Sequence, residues 1–95
     1  MPARSIVLAD GTVLVTESGG HRVRKIDPKG TISTFAGTGE EGLSGDGGPA
    51  TKAALAGPCG IVEWNDDICI ADRGNARVRC VDKSGMIRTD RKSVV

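Results

Sequence analysis

Residues 68–82 read ICIADRGNARVRCVD, and residues 13–27 read VLVTESGGHRVRKID. The two stretches lie 55 positions apart, and each joins an apolar run to a carboxylate, a glycine-containing turn and an Arg-Val-Arg triplet. When the alignment is extended outward, residues 6–34 and 61–89 are identical at ten of 29 positions. Repetition at a fixed period is typical of repeat architectures, so the sequence predicts two copies of one structural unit.

Each copy consists of short β-forming segments separated by turn residues. The turns of the first copy fall at Asp10-Gly11, at residues 18–20 and at residues 28–30. In the second copy they fall at residues 65–67, 73–75 and 83–85. Four short strands joined by tight turns are typical of one blade of a β-propeller. The sequence therefore predicts an all-β chain with two four-stranded antiparallel blades.

The repeat divides the chain into four parts. We expect the first blade at residues 1–36 and the second at residues 58–89. The segment between them, residues 37–57, is a Gly-rich linker, and Pro49 followed by Ala, Lys and Leu predicts a short helical turn within it. Residues 90–95, DRKSVV, match the translation of a common sequencing adapter, and we interpret them as a non-native, adapter-derived tail.

Length and composition narrow the class of protein. The chain has 95 residues, 13 Lys and Arg against 12 Asp and Glu, and only Phe35 and Trp64 as aromatic residues. Because the positive and negative charges nearly balance, the chain has no large net positive charge to attract nucleic acid, and nucleic acid is not the expected partner. A chain of this length buries only about two-thirds of its unfolded surface, which argues against a self-sufficient enzyme. No cofactor is expected.

Two blades alone leave an unpaired strand edge and two packing faces in solvent, so we expect the isolated chain to be either marginally stable or self-associating. No apolar run approaches the roughly 18 residues of a membrane span. The first ten residues lack the apolar stretch of a signal peptide. The sequence does not specify the cellular compartment of this chain, and we expect a longer parent protein to be extracytoplasmic or secreted.

The repeat resembles the NHL-repeat family of β-propellers. The resemblance rests on residues 68–82 and on the linker runs TFAGTG at 34–39 and SGDGGPAT at 44–51. It implies a bacterial, six-bladed, TolB-like ring, of which two blades form about a third. The sequence departs from the family pattern at Glu17, where Asp is usual, and at Ala76, where histidine is frequent.

On this resemblance we expect the protein to be a non-catalytic scaffold that presents loops to a protein or carbohydrate partner. Two alternatives stay open. One is a metal-dependent lyase or lactonase-like hydrolase with its site in the central channel, and the other is an RNA-binding propeller. The two copies themselves predict no catalytic, cofactor-binding or metal-binding set.

Charged residues at equivalent positions define the repeat: Glu17, Arg22 and Asp27 in the first copy, and Asp72, Arg77 and Asp82 in the second. The first carboxylate and the arginine lie five residues apart across a glycine turn. We therefore expect them to meet across adjacent strands as a bidentate bridge that stabilises each hairpin. The last aspartate of each copy is expected to accept hydrogen bonds within a turn.

His21 is the single histidine and our candidate for a functional residue. In related amidating-lyase and lactonase-like propellers, histidines near the channel mouth bind metal. The equivalent position in the second copy is Ala76, so we expect His21 to be a solvent-exposed turn residue. A cationic cluster is also present, and its interleaved aspartates favour a paired, solvated strand edge over an RNA surface. It comprises Arg22, Arg24, Lys25, Arg73, Arg77 and Arg79.

No C-x-x-C spacing occurs among the three cysteines, Cys59, Cys69 and Cys80, and its absence from the sequence disfavours a zinc site. We expect them to be small buried apolar residues, and their redox state stays open. Residues 37–42 match G-x-G-x-x-G, but the glycines that follow are incompatible with the helix of a dinucleotide site. Asp46 is one carboxylate without a spaced acidic series, so a calcium loop is not expected.

Overall fold

The structure, a computed structural model, describes residues 4–90 and contains two antiparallel four-stranded sheets. The first sheet has strands β1 (Ser5–Val7), β2 (Val13–Glu17), β3 (Arg22–Ile26) and β4 (Ile32–Ala36) in sequential order. The second sheet has strands β5 (Pro58–Trp64), β6 (Asp67–Asp72), β7 (Arg77–Val81) and β8 (Ile87–Thr89) in sequential order. The predicted all-β chain with two four-stranded sheets is confirmed. Residues 91–95 of the expected tail lie outside the described residues.

The turns follow from the chemistry of their residues. Asn65 and Asp66 form a two-residue hairpin between β5 and β6 with φ of 49° and 69°, a region that Asn and Asp tolerate better than other residues with a side chain. Between β3 and β4, Asp27 Oδ1 accepts hydrogen bonds from the amides of Lys29 and Thr31, both at 2.9 Å. Asp82 Oδ1 accepts the equivalent bonds from Ser84 and Met86 between β7 and β8.

The segment between the sheets folds back on itself. A 3-10 helix of one turn spans Ala50–Lys52, with Pro49 as its N-cap. Ser44, before this helix, pairs with Ala54, after it, in an antiparallel bridge. This close approach requires glycine at position 45, since a Cβ there would lie 2.6 Å from the Ala53 Cα and the backbone has φ +93°.

The hydrophobic core lies between the two sheets and includes residues of the linker. It is formed by one face of each sheet, with the short side chains of the linker filling the gap. The first sheet contributes Leu14, Val23 and Ala36, the linker Ala50, Ala53 and Leu55, and the second sheet Ile61, Ile68, Ile70, Val81 and Ile87. Small and branched side chains suffice because each sheet needs to cover only the face of its neighbour.

Cys69 and Cys80 lie directly opposite each other on β6 and β7 and form a disulfide, while Cys59 is free. Both bonded residues are buried, as expected for small apolar side chains, but the strand register also brings their sulfur atoms together. Sequence spacing alone does not give that register. Within residues 4–90, no helix has the length and apolar character needed to cross a membrane.

Candidate functional site

One end of the two sheets gathers the β2–β3 turn, the β6–β7 turn and the end of the linker. Ser18 Oγ donates a hydrogen bond of 2.6 Å to the Pro58 carbonyl, which joins the first turn to the start of β5. The Gly74 amide donates a hydrogen bond of 2.7 Å to the Ala56 carbonyl. Both turns meet at this end because the two copies run in the same order of strands.

A cavity of about 370 Å³ opens at this end, and we call it the loop-end cavity. It is a shallow cavity, with much of its volume open to solvent. It is lined by Ser18, His21, Glu41, Ala56, Gly57, Cys59, Arg73 and Gly74. The sequence singled out only His21 for function. Two other lining residues, Ser18 and Arg73, occupy equivalent positions in the turns of the two copies, and that equivalence could have identified them from the sequence.

His21 occupies a turn position with φ 52° and lines the loop-end cavity. Its Nδ1 accepts a hydrogen bond of 3.0 Å from the Gly57 amide. That bond assigns the proton of the neutral ring to Nε2, which is left as a donor. The sequence predicted a solvent-exposed histidine. The ring is instead half-buried, because the linker returns across the turn and supplies the amide.

Two polar side chains of the cavity, Ser18 and His21, form hydrogen bonds with backbone groups rather than with each other. The Ser18 hydroxyl donates to the Pro58 carbonyl, and His21 Nδ1 accepts from the Gly57 amide. Arg73 and Glu41 are exposed at the rim. The cavity therefore combines a guanidinium and an imidazole N–H that donate with a carboxylate that accepts, an arrangement suited to holding a polar ligand.

The expected carboxylate–arginine bridges differ between the two sheets. Glu17 and Arg22 are opposite each other on β2 and β3, with Oε1 and Nε 3.3 Å apart, as an ion pair that lacks hydrogen-bond alignment. Asp72 and Arg77 are also opposite in register, but the bridge predicted between them is wrong. The fully buried Asp72 carboxylate accepts from the Ala56 amide, from Asn75 and from Arg79 instead.

Arg79 is fully buried and connects the linker to the second sheet. Its Nη2 lies 2.8 Å from Asp46 Oδ1, and its Nη1 lies 3.4 Å from Asp72 Oδ2. The same guanidinium donates to the carbonyls of Ser44 and Ala54 at 2.8 and 2.7 Å. We call Arg79, Asp46 and Asp72 the Arg79 clamp. A guanidinium with this many partners is one of the few cations that proteins bury.

The Arg79 clamp affects the ionisation of Asp46. Partial burial raises the pKa of this carboxyl, but hydrogen bonds from Thr89 and Arg79 and the charge of Arg79 outweigh it and hold the pKa below its ordinary value. The pKa of Asp82 is also lowered, first by the hydrogen bond of the Ser84 hydroxyl and then by the Met86 amide.

The cationic cluster predicted from sequence is not a single surface. Arg79 lies in the core, whereas Arg24 is half-buried and donates to Thr34 Oγ1 at 2.7 Å. Arg77 is exposed and donates to the Asn75 carbonyl. The prediction of a solvated strand edge is therefore wrong for Arg79, because the linker covers only the second of the two equivalent arginines. Among residues 4–90, no group of three or more His, Cys, Asp and Glu side chains is placed to hold a metal ion.

The chain is similar to known proteins in both sequence and structure. Protein SUPPRESSOR OF QUENCHING 1, chloroplastic, from Arabidopsis thaliana is 33% identical over 75 residues, a match that covers 77% of this chain and 7% of that protein. The solved structure of selenomethionine-substituted virginiamycin B lyase from Staphylococcus aureus matches with a TM-score of 0.60 and 26% sequence identity. No family model matches the sequence.

The structural match covers 90% of this chain and 25% of the lyase chain. The chain thus spans less than a tenth of the curated relative and a quarter of the solved structure. The lyase is a β-propeller, and the two four-stranded antiparallel sheets found here correspond to a part of it. This chain has the fold of a pair of β-propeller blades.

Proposed function

We propose that the chain is a section of an NHL-repeat propeller, six-bladed and TolB-like, that acts as a non-catalytic scaffold. In this proposal residues 1–36 and 58–89 are the two blades, and the loop end binds a carbohydrate or protein partner. The observation that carries the proposal is the lining of the loop-end cavity, where Arg73 and His21 offer donors and Glu41 offers an acceptor. Sugar hydroxyls both donate and accept, so a mixed lining suits them better than a lining of one charge.

The binding role, rather than catalysis, is supported by how the cavity groups are engaged. A nucleophile requires a base within hydrogen-bond reach. Here the Ser18 hydroxyl donates to a backbone carbonyl and the His21 acceptor nitrogen takes a backbone amide. Both side chains therefore position the loops, and in this proposal their remaining hydrogen-bonding capacity serves a ligand.

NMR titration of the full chain with glucose, galactose, mannose and cellobiose tests this proposal. We expect amide shifts confined to residues 18–21, 56–59 and 73–74 for at least one sugar, with a Kd of about 1 mM or tighter. Glu41→Gln and Arg73→Gln should each weaken the binding at least about tenfold. Lys29→Gln, in the turn at the opposite end of the first sheet, is the matched control. Shifts that are absent, or unaffected by both rim variants, would contradict carbohydrate binding at this cavity.

A second candidate is a metal-dependent lyase, and the likeness to virginiamycin B lyase favours it. In that case His21 would contribute to a site completed by residues of other blades. Incubation of a longer parent protein that carries those other blades with virginiamycin B, followed by mass spectrometry, tests this candidate. Conversion of the antibiotic that is lost in His21→Ala, or stoichiometric zinc or calcium in the purified protein, would overturn the scaffold proposal. An unchanged substrate and a metal-free protein would favour the scaffold.

A further inference from the structure

The Cys69–Cys80 disulfide joins the two central strands of the second sheet. Cys69 and Cys80 are directly opposite each other in the register of β6 and β7. The turn between these strands carries Arg73 and Gly74, which line the loop-end cavity. The redox state of this bond therefore decides whether the hairpin that reaches the loop end is covalently closed.

The first sheet shows that the strand arrangement does not depend on this bond. Its equivalent positions are Leu14 and Lys25, which are also directly opposite each other. The first sheet has the same order of four strands without any cysteine. In the second sheet, an ion pair of the Arg79 clamp joins β6 and β7 on the opposite face, with Arg79 Nη1 3.4 Å from Asp72 Oδ2. We therefore expect β6 and β7 to stay paired when the disulfide is reduced.

The two cysteines differ in access. Cys80 is 0% exposed, whereas Cys69 retains 6% of its exposure. Val62, opposite Cys69 on β5, is 49% exposed, so the disulfide lies close beneath the surface of the sheet. A thiolate that approaches from solvent therefore reaches Cys69 first and displaces Cys80.

A charged pair lies beside the disulfide on the same face. Arg88 is directly opposite Cys80 in the register of β7 and β8. Asp67 is two residues before Cys69 on β6, so strand alternation puts it on that face as well. Arg88 Nη2 lies 2.7 Å from Asp67 Oδ2, and this bridge from β8 to β6 crosses β7 beside Cys80. The guanidinium is thus held where a Cys80 thiolate forms on reduction, and a nearby cation stabilises a thiolate.

We propose that the Cys69–Cys80 disulfide is a redox-responsive site that a dithiol reduces in the folded chain. A thiolate of the dithiol bonds to Cys69 Sγ, the disulfide bond breaks, and its electron pair stays on Cys80 Sγ beside Arg88. The second thiol of the dithiol then displaces Cys69. The dithiol becomes an intramolecular disulfide, and two electrons and two protons pass to the cysteines. This proposal is independent of any ligand at the loop-end cavity.

The test adds dithiothreitol to the folded full chain and counts thiols by maleimide labelling under denaturing conditions and mass spectrometry. We expect one label before reduction, on Cys59, and three afterwards, with the circular dichroism of the folded chain retained. The bond spans a sequence separation of 11 and restricts the unfolded chain. Urea denaturation should therefore give an unfolding equilibrium constant about 100-fold larger for the reduced chain.

Reduction that occurs only in urea concentrations that unfold the chain would overturn the proposal and leave a purely structural crosslink. Unfolding of the reduced chain without urea would also overturn it, because the site would then have no folded reduced state. Glutathione, a monothiol, tests the direction of attack by leaving a mixed disulfide on the cysteine it reaches. We expect that mixed disulfide on Cys69, and one on Cys80 would contradict the proposed order of steps.

Two variants test the role of Arg88. Asp67→Asn and Arg88→Gln break the same ion pair, but only Asp67→Asn leaves a guanidinium free to stabilise the Cys80 thiolate. We expect dithiothreitol to reduce Asp67→Asn at least about fivefold faster than Arg88→Gln. Lys83→Gln, which breaks an exposed ion pair, is the matched control and should be reduced at the rate of the unaltered chain. Equal rates for Asp67→Asn and Arg88→Gln would overturn the role proposed for Arg88.

Discussion

The Arg79 guanidinium lies between Asp46, Asp72 and two linker carbonyls, so its removal leaves the Asp72 carboxylate buried beside fewer donors. We expect Arg79→Met to lower the free energy of unfolding by about 3–5 kcal/mol, the usual consequence of removing one partner of a buried pair. Arg77→Met is the matched control, since Arg77 is exposed, and should change it by no more than about 0.5 kcal/mol. Urea denaturation measures both. Equal effects would show that Arg79 is not held as described.

Asp46 makes the stability of the folded chain depend on pH. The pKa of this carboxyl is below its ordinary value in the folded chain, so ionised Asp46 contributes stability above the unfolded pKa. That contribution is lost as the pH falls through the folded pKa. We expect the urea midpoint to fall between about pH 6 and about pH 3, and to fall less in Asp46→Asn, which is less stable at the higher pH. An identical pH dependence in the variant would contradict this role.

At the scale of elements, the linker docks through backbone contacts that tolerate no side chain at residue 45. Gly45→Ala places a Cβ against the Ala53 backbone at a position with φ +93°. Gly47→Ala is the matched control, since it has a similar φ of +87° but no atom within 4 Å. We expect Gly45→Ala to lower the unfolding midpoint clearly more than Gly47→Ala, by about 1–3 kcal/mol in free energy. Thermal and urea unfolding measure the difference. Equal losses would mean that only backbone strain matters.

The strands and turns were predictable from sequence because their signals are local. Alternating β-forming residues and the turn residues Asp10-Gly11 and Asn65-Asp66 specify each hairpin within a few positions. The helical turn after Pro49 was predicted as well, although it forms a single 3-10 turn. The Cys69–Cys80 disulfide was not predicted, because it depends on the register of β6 against β7 rather than on spacing.

The candidate site was predictable only in part. His21 drew attention as the single histidine, and Asp72 and Arg77 through their equivalents in the first copy, but equivalence across the repeat treats equivalent residues alike. Arg24 and Arg79 each end an Arg-Val-Arg triplet, yet only Arg79 is covered by the linker. Likewise Asp72 pairs with Arg79 rather than with Arg77. Such choices depend on which segment packs against a face, and that is a property of tertiary structure.

At the scale of the whole molecule, the small side chains of this chain are accounted for by packing between blades. Leu14 and Val23 of the first sheet and Ile70 and Val81 of the second form one core, with Leu55 of the linker between them. Neither sheet has a core of its own, so we expect the two sheets to fold and unfold together.

Amide hydrogen exchange of the full chain, followed residue by residue by NMR, tests this shared core most directly. The slowest amides of β2 and β3 and those of β6 and β7 should report one common free energy of opening, since opening either sheet exposes the core of both. The same value should match the global free energy of unfolding from urea. Two distinct values, with one sheet exchanging well before the other, would contradict a core shared between two propeller blades.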